Sequence, residues 1–459
     1  MMFCKWNKQA VVMLVRNARL WSSFLATLFW LVALAHAADD VVEKFPDGKK
    51  KAVYSVNADG QKHGPYEEFY ADGKRHVLTN YVNGQLHGPY VSHFASGKQQ
   101  LKASYQKGEL HGKYQEYAED GSLVHVANYR DGKLHGINQE FAKKAVLKDE
   151  YWVDGKLVIP KSVAQMTAEL ATIDKMPVKT EGEFPAFDGR WKPRLTDAAA
   201  QKDREAALRI LMAYRYVSDV PYKDLVLDRD YIAHAEAGSD LLKTIGKLDH
   251  GPPNPGWPED EYKFAVKGTG SSNIHSGGSQ MPPMVHSYMN DSDDNNIKAL
   301  GHRRWCLNPA MAKTGFGASG SFGCMWSFDG SRKEIPPYEF VAFPARGLTP
   351  TASFKDGYSW SVTVNPKKYS QPKQDDVKVS VFPARISPKT GDLEKLGSAM
   401  ELGFFKVDTA GYGVNNCIIF RPTGVQAAAN SAYWVEIAGI KTKAGEPATI
   451  EYFVGFFKL

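Results

Sequence analysis

Hydrophobic and polar positions change their spacing along this chain, and each spacing predicts a different kind of structure. Residues 50–157 contain short segments rich in β-forming residues, such as 66–70 and 77–81, separated by turns that contain glycine. Residues 197–245 place apolar side chains at helical intervals. Residues 346–459 alternate apolar and polar positions in several short runs. The chain is therefore predicted to be a multi-domain α+β protein that ends in an all-β sandwich.

A repeat of 24 residues runs through the first of these regions. Four His-Gly pairs share this spacing, and further columns of glycine and tyrosine move in step with them. Turn glycines permit positive φ, so each unit is predicted to form one β-hairpin, and stacked hairpins would align a half-buried ladder. The pairs are His63-Gly64, His87-Gly88, His111-Gly112 and His135-Gly136, and the ladder is Phe69, His93, Tyr117 and Phe141.

The sequence G-x-x-H-G-x-Y in these units resembles the MORN-type repeats of exported bacterial proteins, over residues 50–157. The resemblance implies a binding or spacer surface. Each histidine precedes a turn glycine and is expected to cap or pack locally rather than bind a metal, because no unit supplies a second clustered ligand. Ile137 and Asn138 break the pattern in the fourth unit, which is expected to act as a cap.

Residues 158–196 contain four prolines and are predicted to be a linker with one helical piece at 163–173. Helices are predicted over 197–217 and 228–245, the latter with Asp228 as its N-cap. A Gly/Ser-rich loop at 268–279 and a third, short helix at 285–290 are predicted to follow.

Five short motifs follow one another between residues 200 and 343. They are Ala213-Tyr214-Arg215, Leu248-Asp249-His250, Ser272-Asn273-Ile274, Val285-x-x-Tyr288-x-x-Asp291 and Leu300-Gly301-His302, the last leading into the run HRRWCLNP. Their order and spacing resemble the CAP superfamily, the cysteine-rich secretory and pathogenesis-related proteins, in its bacterial form. The resemblance implies an α-β-α sandwich over residues 197–345, with a groove that holds two histidines and two acids.

Four positions of this sequence correspond to the groove residues of the family, namely His250, Ser272, Asp291 and His302. Asp291 is one methylene shorter than the family's glutamate, and Ser272 replaces the other acid. A complete acid–base pair is therefore not expected, and no catalytic residue is assigned. His250 and His302 are candidate ligands for zinc or another divalent cation, and groove-lining residues with a structural role are the alternative.

Two arginines, Arg303 and Arg304, follow directly after the second groove histidine. They are predicted to form a solvated face or to pair with Asp291, Asp293 and Asp294. An anion site for a lipid headgroup is the alternative, and it is less favoured.

The 459 residues suffice for two or three domains, and 43% of them are hydrophobic. Residues 1–37 carry four basic residues and no acid, then an apolar run at 24–35 and a small-x-small sequence at 35–37. This pattern indicates an export signal and a secreted or periplasmic location, with no transmembrane span in the mature chain. An uncleaved anchor is the alternative, although the run is shorter than the ~20 residues of a span. Without this segment the formal charge falls from +6 to +2, which argues against binding to nucleic acid.

Removal of the signal would leave three cysteines, Cys306, Cys324 and Cys417. Exported proteins meet oxidising conditions, so one disulfide is predicted, and three pairings are possible. Cys306 with Cys324 is favoured because the two lie 18 residues apart in one predicted domain, which leaves Cys417 as a buried free thiol. The alternative is that all three are small core side chains.

Two functions fit these features. The first is an exported, non-enzymatic binding protein whose CAP-like groove holds an apolar, lipid-like or protein ligand; an envelope or extracellular protein is a possible partner, and the repeat array adds a second surface. The second is a zinc-assisted hydrolase of envelope peptide or glycan that uses His250, His302 and Asp291. The missing acid and the lack of a G-x-S-x-G elbow favour the first.

Overall fold

The computed structural model describes residues 39–185 and 197–459. The predicted signal at 1–37 and the part of the predicted linker at 186–196 lie outside the described residues. Strands account for 41% of the chain and helices for 19%, so the fold is mostly β. Within the described ranges, no helix is both long enough and apolar enough to cross a membrane.

The described part of the repeat region, residues 39–159, forms one antiparallel sheet of thirteen strands with one hairpin per 24-residue unit, as predicted. The strands are β1 (Asp39–Lys44), β2 (Lys50–Val56), β3 (Lys62–Phe69), β4 (Arg75–Val82), β5 (Gln85–Leu86), β6 (Gly88–His93), β7 (Gln99–Gln106), β8 (Glu109–Leu110), β9 (Gly112–Tyr117), β10 (Leu123–Arg130), β11 (Lys133–Ala142), β12 (Ala145–Val153) and β13 (Lys156–Ile159). They lie in chain order, except that the short strands β5 and β8 pair only with β4 and β7.

Glycine and tyrosine recur together because the His-Gly glycine of each of the first three units faces a tyrosine across the hairpin, whereas Gly136 in the fourth faces Trp152. Gly64, the first of these glycines, has a φ of +96°, which a residue with a Cβ rarely adopts. The facing pairs are Gly64 with Tyr81, Gly88 with Tyr105 and Gly112 with Tyr129. The residues of the predicted ladder, Phe69, His93, Tyr117 and Phe141, are all half-buried, as expected.

The repeat histidines hold the turn of the following unit. The backbone N–H of Asn83 donates to Nδ1 of His63 at 3.3 Å, and that of Asp154 donates to Nδ1 of His135 at 3.3 Å. Asn83 and Asp154 both have a φ of +48°, so the histidines fix strained turn residues. The local packing role predicted for these histidines is confirmed for these two units.

The fourth unit joins the array to the C-terminal region instead of closing it at a free end. His135 is 7% exposed, and its Nε2 donates to the carbonyl of Thr390 at 3.0 Å. Arg130 donates to Asp154 and, at 2.6 Å, to Asp392. His135, Asp154 and Asp392 could offer three ligand atoms within 4.8 Å of one another. The guanidinium of Arg130 already pairs with both carboxylates, so we assign this cluster to docking.

A five-stranded sheet covered by helices on both faces follows the array. Its elements are α1 (Val163–Asp174), β14 (Thr180–Glu181), α2 (Ala198–Val217), β15 (Val226–Asp228), α3 (Arg229–Ile245), α4 (Glu259–Gly270), β16 (Ser272–Ser276), α5 (Met281–Asn290), α6 (Gly301–Cys306), β17 (Lys313–Ser319) and β18 (Phe322–Trp326). All four predicted helices are present, and Asp228 caps α3 by accepting the N–H of Asp230 at 3.0 Å. The predicted loop at 268–279 is wrong in its centre, because residues 272–276 pair with β18 as strand β16.

Glycines in β17 decide how closely α3 approaches the sheet. A Cβ on Gly315 or Gly317 would lie 2.3 or 2.2 Å from a backbone nitrogen of α3, so only glycine fits there. Phe316, between them, points to the other face and packs in the core with Leu208 of α2 and Met284 of α5. The sheet order is β14-β15-β17-β18-β16, so β16 lies at one edge, beside β18.

The C-terminal residues form two further sheets. Their strands are β19 (Phe340–Phe343), β20 (Gly347–Pro350), β21 (Trp360–Val364), β22 (Lys378–Ile386), β23 (Leu393–Lys395), β24 (Leu402–Asp408), β25 (Cys417–Pro422), β26 (Ala432–Lys441) and β27 (Pro447–Phe457). One sheet has the order β19-β21-β25-β24 and the other β20-β27-β26-β22-β23, with β20 and β27 parallel and the other pairs antiparallel. Trp360 and Tyr452 share one buried cluster with Leu211 and Phe316, so the core continues from the middle region into these sheets.

The predicted disulfide between Cys306 and Cys324 is wrong, because both residues are buried free thiols, as is Cys417. Cys324 pairs in register with Ile274 and packs towards α3. The neighbouring Asn273 points to the opposite face of the sheet, where its Nδ2 donates to the Sγ of Cys306 at 3.6 Å. The sheet therefore separates the two sulfur atoms, and burial raises the pKa of both thiols to about 12.

Replacing Arg130 with glutamine should loosen the array from the C-terminal sheets at neutral pH. The hydrogen bond from Arg130 holds the pKa of Asp392 at about 2, well below its usual range. The contact is therefore formed above the unfolded-state pKa of about 4 and is lost as the pH falls towards 2. Small-angle scattering should show a larger radius of gyration for Arg130→Gln at pH 7. Arg385→Gln is the control, since Arg385 pairs at 2.5 Å with Glu394, which is not part of the array. An unchanged radius for Arg130→Gln would contradict this account.

Candidate functional site

His250 is held by the end of α4. Helix α3 ends at Gly246, whose φ of +72° turns the chain towards α4. Nδ1 of His250 lies 2.9 Å from the carbonyl oxygen of Thr269, and Oγ1 of Thr269 donates back to the carbonyl of His250 at 2.9 Å. A carbonyl oxygen only accepts hydrogen bonds, so Nδ1 carries the proton. The lone pair of the neutral ring is then on Nε2.

Ser272 begins β16 next to the Thr269 turn. Its side chain is buried, with 2% exposed, and its Oγ makes no hydrogen bond in the described structure. A buried hydroxyl without a partner is unfavourable, so this position departs from ordinary core packing.

The second histidine is oriented by a buried carboxylate. Asp291 caps α5 with a φ of +47°, which directs its side chain back towards α6. Oδ1 of Asp291 lies 2.8 Å from Nδ1 of His302, and Oδ2 accepts the N–H of Arg303 at 3.3 Å. Burial alone would lower the pKa of His302, but the hydrogen bond and charge of Asp291 raise it above the usual value. Nε2 is therefore the ring atom of His302 that is left for a ligand.

Asn273 and Tyr288 lock this histidine to the sheet. Nδ2 of Asn273 donates to the carbonyl of His302 at 2.9 Å, and the hydroxyl of Tyr288 donates to the carbonyl of Asn273 at 3.0 Å. The rings of Tyr288 and His302 stack with centroids 5.5 Å apart. Sequence reasoning placed Asn273 and Tyr288 in the motifs but gave them no role.

Arg303 and Arg304 are buried, so the predicted solvated face is wrong. Arg303 donates to the carbonyl of Met289 at 2.8 Å and to that of Ser359 at 2.7 Å. Arg304 donates to the carbonyl of Val414 at 2.7 Å and pairs with Asp408. The two side chains therefore fasten α6 to α5 on one side and to the C-terminal sheets on the other.

Tyr412 comes from this fastened C-terminal loop. The guanidinium carbon of Arg304 lies 5.2 Å from the centre of the Tyr412 ring. A Cβ on Gly301 would lie 2.9 Å from a ring carbon of Tyr412, so the glycine makes room for the ring. Sequence reasoning missed Tyr412, which lies 110 positions after His302 and has no local signal.

These elements enclose one open cavity of about 460 Å³. His250, Ser272 and His302 line it together, and Asp291 lies behind His302. The aromatic part of the wall is formed by Trp305, Phe328 and Tyr412. Trp305 and Phe328 stack with centroids 4.3 Å apart, and the side chain of Phe328 is 49% exposed. The cavity therefore combines two oriented imidazoles with an accessible aromatic surface.

Asp291 does not join the two histidines in a compact metal site. Its carboxylate is used by Nδ1 of His302 and the N–H of Arg303. Within residues 39–185 and 197–459, the group His135, Asp154 and Asp392 is the one set of three ligands found within 4.8 Å. Zinc in the cavity would be bound by His250 and His302, and its remaining ligands would have to come from outside the predicted groove residues.

No protein-family model matches the chain, and no curated protein matches it either.

Asp291→Asn should destabilise the protein more at pH 5.5 than at pH 9. Because the pKa of His302 is raised in the folded state, its contribution is complete below the unfolded-state value of about 6.5 and is lost as the pH rises through the folded value. We expect a loss of about 1.5–3 kcal/mol at pH 5.5, typical of a hydrogen bond to a charged group. Urea unfolding measures it.

Asp294→Asn is the matched control, because Asp294 is exposed on the same loop. Equal losses for Asp291→Asn at the two pH values would show that the imidazolium–carboxylate pair does not form.

Proposed function

We propose that this chain is an exported, non-enzymatic binding protein. In this proposal residues 197–345 form a CAP-like α-β-α sandwich whose groove takes a lipid-like ligand, and the MORN-like array supplies a second binding surface. The order of motifs from Ala213 to His302 supports the resemblance. Helices on both faces of the middle sheet are consistent with it.

The observation that carries the proposal is the composition of the cavity wall. The cavity has a volume of about 460 Å³, which suits a small organic ligand. The stacked rings of Trp305 and Phe328 offer an apolar surface to a hydrocarbon body. His302, whose pKa is raised by Asp291, offers a proton donor to a carboxylate or similar head group. A fatty-acid-like molecule has both features.

The serine in the groove favours binding over catalysis. A serine nucleophile needs a base within hydrogen-bond reach, and Oγ of Ser272 has no hydrogen-bond partner. Asp291 is used to orient His302 and is 3% exposed, so it is poorly placed to exchange protons with a substrate.

Palmitate should bind the full chain, and Phe328→Ala should weaken the affinity about tenfold, the effect of losing about 1.4 kcal/mol. The side chain is 49% exposed, so the substitution should leave stability nearly unchanged. Leu147→Ala is the matched control, because Leu147 is an exposed apolar residue of the array, 63% accessible. Isothermal titration calorimetry gives both affinities.

The head-group contact has its own signature. Palmitate should bind more tightly as the pH falls through the raised pKa of His302, while the palmitate carboxylate stays ionised, and His302→Gln should remove that dependence. No binding of palmitate, or equal affinity for Phe328→Ala and the parent, would overturn the assignment of this ligand class.

A zinc-assisted hydrolase is the second candidate. Nδ1 of His250 is bound by a carbonyl and Nδ1 of His302 by a carboxylate, which leaves Nε2 of each ring as the ligand atom. Such outer partners are typical of metal-binding histidines. Zinc there would supply an activated water, while the protein's own residues would hold and orient the two rings.

Zinc titration of the metal-free chain decides between the two. The hydrolase hypothesis requires about one tightly bound zinc per chain. This zinc should be lost in the double variant His250→Ala/His302→Ala and kept in His87→Ala. The binding-protein hypothesis predicts the same zinc content in the parent chain and in both variants.

A further inference from the structure

One face of the repeat sheet carries a regular double row of tyrosines. We call it the tyrosine face and define it by three cross-hairpin pairs. In each hairpin, the register places each tyrosine opposite a glycine or a small residue of the partner strand, so both tyrosines of a pair lie on one face of the sheet. All three pairs share that face. All six rings are half-buried. The pairs are Tyr66 with Tyr81, Tyr90 with Tyr105 and Tyr114 with Tyr129.

The rings form ridges instead of a flat platform. The paired centroids lie 5.4, 5.6 and 5.8 Å apart, and the ring planes meet at 66°, 63° and 67°. Leu86 and Leu110 lie on the same face between successive pairs, directly opposite Tyr81 and Tyr105. A sugar ring that stacks flat on an aromatic surface fits this relief less well than a narrow chain whose side groups pack between the ridges.

The spacing of the ridges matches the pitch of an extended peptide. Successive pairs are separated by two strands, which corresponds to about 9.5 Å. A polyproline II helix advances by about 9.3 Å per turn of three residues. A peptide in this conformation that crosses the strands would therefore present one residue of every three to each ridge. Aromatic-lined grooves are the usual receptors for such peptides.

The charge of the face selects a basic peptide. The hydroxyl of Tyr66 donates to Glu68 at 3.1 Å and that of Tyr114 donates to Glu116 at 3.2 Å, so carboxylates lie beside the ridges. Strand register adds further charged groups to this face, with acids in the majority. They are Glu43, Glu140 and Glu150 as acids, Lys62 and Lys148 as bases, His125 as a titratable neighbour of Glu116, and His76, whose Nδ1 lies 3.1 Å from a carboxylate oxygen of Glu68.

The first ridge already holds a cation from the chain itself. Nζ of Lys62 lies 4.3 Å from the ring centre of Tyr66 and 5.4 Å from that of Tyr81. The positions one and two repeats later are Leu86 and Leu110, so the second and third ridges receive no lysine from the equivalent place. An incoming lysine or arginine could make a cation–π contact with the accessible part of these rings, beside Leu86 and Leu110.

We propose that the tyrosine face binds a basic, proline-rich segment of another protein in the polyproline II conformation, with one turn per repeat. Prolines pack between the ridges against Leu86 and Leu110, and lysine or arginine side chains lie beside the second and third ridges and near Glu116. This inference rests on the part of the proposed function that gives the array a binding role, and it is independent of the ligand in the cavity.

The test uses the full chain and a labelled peptide of about fifteen residues built from Pro-Ser-Lys units, five polyproline II turns. Fluorescence anisotropy should show saturable binding that weakens with salt. Tyr90→Ala should weaken it about tenfold, and Glu116→Gln about threefold, as expected for an exposed ion pair. Val91→Ala is the matched control, because Val91 is on the same strand but points to the opposite face.

Two further peptides and one glycan complete the experiment. A peptide of the same composition without the three-residue period, and one with glutamine in place of lysine, should both bind at least about tenfold more weakly. Equal binding of the scrambled peptide, or of Tyr90→Ala and the parent, would overturn the proposal. Binding of a β-1,4-linked oligosaccharide with no binding of the peptide would also overturn it and assign the face to glycans.

The outcome is separable from that of the cavity. Palmitate affinity should be unchanged in Tyr90→Ala and Glu116→Gln, and peptide affinity should be unchanged in Phe328→Ala. If Tyr90→Ala misfolds the array, the peptide-binding test depends on Glu116→Gln alone, because that substitution keeps the shape of the side chain.

Discussion

The burial of two consecutive guanidinium groups is the constraint on which the candidate site depends. A buried arginine is tolerated only when its donors find acceptors, because an unpaired charge in the protein interior costs several kcal/mol. Arg303 finds them on the last turn of α5 and at Ser359, and Arg304 finds them on the C-terminal loop that carries Tyr412. His302 precedes both on the same short helix, so its position is fixed by the same contacts.

This arrangement explains why the cavity has walls from distant parts of the chain. The polar wall comes from the middle sheet and its helices, and one part of the aromatic wall comes from a loop that follows β24. The shared hydrophobic core, which joins Leu211 to Trp360 and Tyr452, keeps the two regions in one arrangement. The repeat array is attached through a separate, smaller buried cluster, in which Val158 packs with Trp434 and Phe453, and through the charges around Arg130 and Asp392.

Local features were predictable from sequence because they depend on backbone geometry. The 24-residue period, the positive φ of Gly64 and its equivalents, and the cap at Asp228 follow from properties of single residues and their near neighbours. The structure brings His250, Ser272 and His302, which lie in three separate motifs, to one cavity. Long-range contacts were not predictable in this way. The partners of Arg303 and Arg304 lie up to 110 positions away, and the faces on which Cys306 and Cys324 lie depend on strand register. Residues 272–276 were predicted as loop because their glycine- and serine-rich flanks conceal a strand that β18 stabilises.

The central claim is that His250 and His302 converge on one ligand cavity and that each carries its proton on Nδ1. Histidine-selective ¹⁵N NMR of the full chain tests this most directly, with the tautomers recorded without ligand at a pH above the raised pKa of His302 and the effect of palmitate recorded at a pH below it. The account predicts Nδ1–H tautomers for both rings and shifts of both Nε2 signals on addition of palmitate, with His63 and His111 of the array unchanged. A shift of only one of the two cavity histidines, or a tautomer with the proton on Nε2 of His250, would contradict it.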